Sequence, residues 1–304
     1  MFIYLNGKYL SKDKSYISSK DRGLLLGDGL FETILYKNHE LVLYDFHINR
    51  LNKSLKKIFI NFRLNRKDYK RKITNLIKKS HLINKSLAVR ITVTRGESFR
   101  GIDISNKVLP TILINTTLLK KNLRFKPVRL GVAEIKRNES SPLSNLKTLN
   151  YLDNIVAKKI SMNQGYDDVI FLNSKNNVCC CSTSNIYYLI RGKFYTPPLS
   201  DGILNGTIRE KLIAKKKVAE KSIKLNNLLK CSEIFITNSI FALSPKFSYM
   251  SSRDSSSTAY SGVISKHIVA SSNTLLYHSI PSSYFPSRRK KSISFSLGIL
   301  SSGS

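Results

Sequence analysis

Along the first third of the chain the apolar positions switch between a period of two and a period near 3.6. Phe2 to Leu5 and Glu40 to Leu43 read as short strands, with Asn6-Gly7 a turn signal. Asp45 is placed to cap a helix running to about Phe59, where Leu51, Leu55 and Ile58 recur at helical spacing and Lys53, Lys56 and Lys57 fall off the stripe. Arg66 to Lys79 predicts a second, basic helix with Tyr69, Ile73, Leu76 and Ile77 on one face. Leu87 to Thr94, rich in β-branched residues and ended by Arg95-Gly96, predicts a strand, and Thr111 to Thr117 another.

A basic, poorly patterned connection, Leu118 to Lys126, marks the expected domain boundary. Beyond it the pattern predicts a strand near Val128 to Ala133, a Ser- and Asn-rich loop to Leu146, and a helix from about Leu149 to Asn163. Gly165 to Ile190 reads as two strands around a turn at Asn173 to Asn177, and Lys193 to Thr196 as a third. Pro197-Pro198 ends it, the turn through Gly202 and Gly206 opens a helix, and Glu233 to Thr237 is the last strand. The expected fold is α+β (mixed α/β), in two lobes with a cleft between them. The smaller amino-terminal domain is expected over 1–120 and the larger over 127–270. Over 271–304 the chain is a Ser-rich, basic tail whose order the pattern leaves open.

With 304 residues, 41% of them apolar, the chain can bury a large core, which excludes wholesale disorder. Cys179, Cys180 and Cys181 are consecutive and cannot bridge to one another with normal geometry, so a reducing compartment is expected. No apolar run is long enough to cross a bilayer and no signal core follows the first residues, so the expected location is the cytoplasm, with no membrane partner. The net charge of +32 attracts polyanions in a salt-dependent way. The basic residues are nevertheless scattered in short clusters such as Lys70-Arg71-Lys72 and Lys215-Lys216-Lys217, with no zinc-finger spacing and no basic region leading into a heptad. A lysine-rich background explains this first, an anionic small ligand second, and no specific nucleic-acid partner is expected.

Four segments carry candidate chemistry. Asp21 to Thr33 places three glycines among acids and apolar groups, which also suits a tight loop feeding a strand. In His47-Ile48-Asn49-Arg50-Leu51, Arg50 borders the apolar stripe and offers a planar fork to a phosphate, while the same position suits a helix-surface arginine and His47 suits packing. Lys147, between a loop and a helix, is either solvated or a nucleophile whose pKa falls in an apolar wall. Gly202 to Arg209 at a helix start, and Thr237-Asn238-Ser239 after a strand, are candidate anion cradles or plain caps.

The runs DRGLLLGDGLFET, HINRL, LKTLNYLDNIVAKK, STSNIYYL, PPLSDGILNGTIR and TNS, in that order over residues 1 to about 250, resemble the fold-type IV pyridoxal-phosphate enzymes. That family contains branched-chain and D-amino-acid aminotransferases and 4-amino-4-deoxychorismate lyase. The resemblance implies the two-domain D-amino-acid aminotransferase-like fold, pyridoxal 5'-phosphate as cofactor, and a homodimer. It implies Lys147 as the covalent anchor, with Arg50, Thr207, Ile208 and Thr237, Asn238 and Ser239 holding the cofactor phosphate. Arg95-Gly96-Glu97-Ser98-Phe99-Arg100-Gly101 resembles the lyase loop, with Ser98 and Phe99 where the inner glycines stand, so Arg100 is the expected contact to a small dicarboxylate substrate. The implied reaction is the lyase's, with an aminotransferase and a noncatalytic homologue as the alternatives.

One position departs from the family. The residue five before the asparagine of the Ser-Asn element is a glutamate that pairs with the cofactor's ring nitrogen; counted from Asn185, that position holds Cys180. Strand alternation from Val178 predicts that 178, 180 and 182 share the cofactor-facing side and that Cys179 and Cys181 point away. A neutral thiol holds a ring proton less well than a carboxylate.

Overall fold

The computed structural model describes residues 1–98, 101–104, 108–119 and 128–240. Asn6 and Gly7, both at positive φ, form the two-residue turn that joins β1 (Phe2–Leu5) to β2 (Lys8–Ser11). A short helix, α1 (Arg22–Leu26), precedes β3 (Gly29–Lys37) and β4 (Glu40–Leu41). Two helices follow, α2 (Tyr44–Lys57) and α3 (Arg66–Lys79), then β5 (Leu87–Thr94) and β6 (Thr111–Leu118). The six strands make one antiparallel sheet in the order β2-β1-β6-β5-β3-β4, in which β3 and β5 pair from Gly29 opposite Thr94 to Tyr36 opposite Leu87.

Both helices turn their expected stripes onto this sheet. Ile48, Leu51 and Leu55 of α2 and Ile73, Leu76 and Ile77 of α3 are buried with Leu30, Ile34, Val89 and Ile91. Asp45 does not cap α2: the helix begins at Tyr44 behind Leu43, whose φ is 53°, and no side chain caps it. Asp45 lies in the first turn, where its charge faces the positive end of the helix dipole. The carboxyl end is tied down instead by Arg95, which donates to the Ile58 and Phe59 carbonyls at 2.7 and 2.9 Å.

The second sheet runs β7 (Leu130–Val132), β8 (Asp168–Leu172), β9 (Val178–Cys181), β10 (Asn185–Ile190), β11 (Lys193–Thr196) and β12 (Ala219–Glu220) in space, with β13 (Glu233–Thr237) on β10. Three helices accompany it: α4 (Leu152–Asn163), α5 (Thr207–Ala214) and the single turn α6 (Leu225–Leu228). The Gly165 to Ile190 stretch therefore holds three strands where the pattern predicts two, because Ser182 to Ser184 breaks the second run. β10 is the hinge of the sheet: β13 covers one edge, and the other pairs with β9 at Asn185 and with β11 from Tyr188 onward.

Strict alternation fails in β9. Phe171 pairs with Cys180 but Leu172 pairs with Val178, so Cys179 is an extra residue in a β-bulge. Val178 and Cys181 consequently share one apolar cluster, and Cys179 and Cys180 another. All four cysteines are buried and unbridged. The first core draws on residues from Tyr4 to Ile114 and takes in Leu146 from beyond the connection; the second draws on Leu130 to Phe235. The expected boundary over 120–127, the remainder of the second domain from 241 to 270, and the tail over 271–304 lie outside the described residues. Among the described residues no helix is long and apolar enough to cross a membrane.

Candidate active site

Lys147 is not on a helix. Between bends at Leu146 and Leu149 the chain makes one isolated antiparallel bridge to the start of β3: the Phe31 amide donates to the Lys147 carbonyl at 3.0 Å, the Leu149 amide donates to the Gly29 carbonyl at 3.0 Å, and Thr148 lies opposite Leu30. The helix waits until Leu152. This pairing aims the Lys147 side chain into a cleft of about 290 Å³, where its Nζ donates to Tyr151 Oη at 3.0 Å and sits 4.1 Å from the centre of the Phe31 ring. The same cleft is lined by Arg50, Cys180, Thr207, Ile208, Thr237, Asn238 and Ser239, so seven predicted site residues surround the eighth.

Arg50 reaches the cleft from α2 through a fixed fork. Its Nε and Nη2 donate to the two oxygens of Glu32 at 2.7 Å each, and its Nη1 donates to the Asn205 carbonyl at 2.7 Å. Three of its five donors are thereby fixed, and two N–H groups are left on the outer edge of the fork. Burial would raise the Glu32 carboxyl, but Arg50 and His47 outweigh it and hold the pKa at about 2. His47 Nδ1 lies 2.6 Å from Glu32 Oε2, and both side chains are 1% exposed.

Opposite Arg50, α5 begins without a side-chain cap because its N-cap is Gly206. The first bond of the helix runs from the Glu210 amide to the Gly206 carbonyl, so helix geometry leaves the amides of Thr207, Ile208 and Arg209 without an intrahelical acceptor. These amides and the Arg50 fork make a cradle for a dianion. Gly206 is closely approached: a Cβ there would stand 1.9 Å from Asn185 Oδ1, so that side chain would have to shift.

Ser239 Oγ donates to the Thr33 carbonyl at 2.6 Å, which commits its hydrogen, whereas Thr237 Oγ1 lies 3.0 Å from Tyr187 Oη, a contact in which either oxygen can donate. Arg95, the first arginine of the expected substrate loop, is also committed: it forms a two-point pair with Asp28 at 2.7 and 3.0 Å and is 6% exposed. Arg100 and Phe99 lie outside the described residues.

Cys180 lines the cleft as the offset from Asn185 predicts, but through the bulge and not by alternation, and Cys181 lines it as well. Burial pushes the Cys180 thiol up, so it is uncharged, although the Arg137 guanidinium beside it pulls the other way. Arg137 itself lies over the Phe171 ring at 4.2 Å. The sequence reading assigns no role to three residues that line the cleft, Tyr151, Arg137 and Ser182, whose buried Oγ has no partner, or to Glu32, which is buried behind Arg50. Only Tyr151 carried a signal, a phenol four residues after the lysine. The others depend on long-range pairing.

A lysine amine in an aromatic wall, an uncapped helix start, a locked arginine and an orphaned hydroxyl fit a phosphorylated aldehyde. Residues 29–245 match the family model "Amino-transferase class IV". The chain is 30% identical over 249 residues to the aminodeoxychorismate lyase of Bacillus subtilis, covering 80% of this chain and 85% of the relative. It is equally 30% identical over 253 residues to the "Putative branched-chain-amino-acid aminotransferase" of Methanocaldococcus jannaschii, covering 81% and 87%. The branched-chain aminotransferase structure from Thermoproteus uzoniensis superposes with a TM-score of 0.71 at 25% identity, covering 79% of this chain and 84% of that one. Family, fold and cleft agree: this chain is a member of the class IV aminotransferase family of pyridoxal 5'-phosphate enzymes.

Proposed function

We propose that the protein is an aminodeoxychorismate lyase, converting 4-amino-4-deoxychorismate to 4-aminobenzoate and pyruvate. The observation that carries this reading is the uncharged Cys180 thiol in the cleft wall. When bound, the cofactor supplies an electron sink for the carbon that bears the substrate nitrogen. A thiol in place of a carboxylate weakens that sink, and the lyase reaction tolerates the loss because formation of an aromatic ring drives it. Transamination has no such driving force.

On this reading Lys147 anchors the cofactor and Arg50 holds its phosphate together with the amides of Thr207 and Ile208. The Lys147 amine, released when substrate binds, takes the proton from the ring carbon carrying nitrogen. The bond from the ring to the enolpyruvyl oxygen breaks, and the enolpyruvyl methylene gains a proton to become the methyl of pyruvate; no water or oxidant is consumed. Tyr151, hydrogen-bonded to Nζ, orients that amine. Arg100 is assigned to a substrate carboxylate, in keeping with the positive charge of the chain.

Class IV aminotransferases are typically homodimers, and a homodimer is part of the proposal. The exposed apolar side chains Leu24 and Leu25 of α1, with Leu152 and Ile155 of α4, offer a surface for the second copy. The test is direct comparison of aminodeoxychorismate with an amino acid plus 2-oxoglutarate. Release of pyruvate and 4-aminobenzoate from the first, far faster than amino transfer in the second, supports the lyase; the reverse order rejects it. Borohydride reduction followed by peptide mass spectrometry places the anchor, and an adduct on any lysine other than Lys147 rejects that assignment.

A further inference from the structure

His47 connects the two sides of the anion cradle. Its Nδ1 meets Glu32 Oε2 at 2.6 Å and its Nε2 lies 3.4 Å from Thr207 Oγ1, the hydroxyl at the first position of α5. The ionised Glu32 can only accept, so the Nδ1 nitrogen carries a hydrogen. The charged groups facing the ring are Glu32 from β3, Arg50 on its own helix, and Lys147 from the bridged segment before α4. Burial, aided by the two cations, outweighs Glu32 and pushes the imidazolium below its ordinary range. Without an anion, the neutral ring therefore presents a bare Nε2, and the Thr207 hydroxyl is the donor it meets among the described residues.

An anion at the α5 terminus competes for that hydrogen. If Thr207 turns its hydroxyl to the anion while the ring stays neutral, lone pairs on Nε2 and Oγ1 face each other in a buried place, which is unfavourable. One added proton on Nε2 removes the conflict: Nε2–H donates to Oγ1, and the Thr207 hydroxyl donates to the anion. We propose, on the reading that this cleft holds the cofactor's phosphate, that Glu32, His47 and Thr207 form a relay through which phosphate binding draws one proton from solvent onto His47 Nε2. No covalent bond other than N–H changes. The relay makes His47 a positioning residue that adjusts the cradle's charge to its occupant, so that a dianion meets one more positive charge than an empty cradle carries.

The probe is sulfate, which has two negative charges and does not itself titrate near neutral pH. Calorimetry on the full cofactor-free chain, in buffers of different ionisation enthalpy at about pH 7, counts protons taken up per sulfate; linkage predicts close to one, with affinity falling up to about tenfold per pH unit above that point. In His47→Gln the count falls to near zero. Nitrogen-15 spectra of the cofactor-loaded wild-type chain supply a reading that needs no variant: Nε2 is protonated when loaded and becomes bare on cofactor removal. Sulfate binding without proton uptake, uptake that persists in His47→Gln, or an Nε2 that stays bare in the loaded chain overturns the relay while leaving the cradle standing. Failure of sulfate to bind at all overturns the cradle, and the relay with it.

Discussion

On the proposed lyase reading, the side chain at Cys180 separates two chemistries. Its thiol is uncharged and stands beside the Arg137 guanidinium. Cys180→Glu would give Arg137 an ionic partner and the ring nitrogen a carboxylate, at the risk of overpacking a site that is 9% exposed. The expected outcome is that amino transfer rises by about tenfold or more, equivalent to ~1.4 kcal/mol in the barrier, while lyase turnover changes much less. Single-turnover rates at saturating cofactor check it, and an equal gain in both reactions removes the argument for the lyase. Arg50→Lys keeps a charge but loses the fork that spans Glu32 and the Asn205 carbonyl. Binding of pyridoxal phosphate should weaken by about tenfold, ~1.4 kcal/mol, with pyridoxal little affected; equal weakening of both places Arg50 away from the phosphate.

Among the elements, α5 and β9 show how local pattern and long-range contact divide the work. The start of α5 was legible as a helix opening behind a glycine, which suits an anion cradle or a plain cap. The close approach at Gly206 was not, since it is Asn185 from β10 that occupies the space. Gly206→Ala should therefore displace Asn185 or tilt α5, lowering stability by about 1–3 kcal/mol as overpacked sites do and loosening cofactor retention, measured by melting with and without pyridoxal phosphate. An unchanged melting point in both states refutes the close-packing account. The offset from Asn185 found Cys180, yet the alternation offered to support it was wrong, because a one-residue bulge leaves no signature in three identical cysteines. Lys147 reads from the sequence as a residue between a loop and a helix beginning near Leu149; the helix begins instead at Leu152, and the bridge of Thr148 to β3, which local pattern does not announce, sets the lysine's place. Arg95, the first arginine of the loop whose Arg100 is the expected substrate contact, has a structural task that the sequence did not announce: it pairs with Asp28 and closes the end of α2.

For the molecule as a whole, the buried ion pairs set the acid limit. Glu32, at about pKa 2, and Asp28, held below the ordinary carboxylate range by Arg95 and Arg22 against the effect of burial, are both more acidic folded than unfolded. Stability from these groups is therefore complete above the unfolded carboxylate range and is lost as pH falls through it toward about 2. Glu32→Gln should flatten the acid limb of a melting-temperature profile and, by leaving Arg50 without its partner, lower stability at neutral pH by about 3–5 kcal/mol. A variant profile parallel to wild type would refute this. The two-lobed mixed fold was visible from periodicity, but the pairing of Glu32 with a helix two elements away could not be, because charge complementarity in sequence does not specify register.

The bridge of Thr148 to β3 makes the aim of the lysine a matter of whole steps. A slip of one position in this bridge would move the Lys147 backbone by about 3.3 Å and set Thr148 where the lysine stands. The two bonds from the Phe31 and Leu149 amides thus work as a detent: loosening the grip between the lobes and disarming the lysine are the same event, and exchange of those two amide hydrogens would time it.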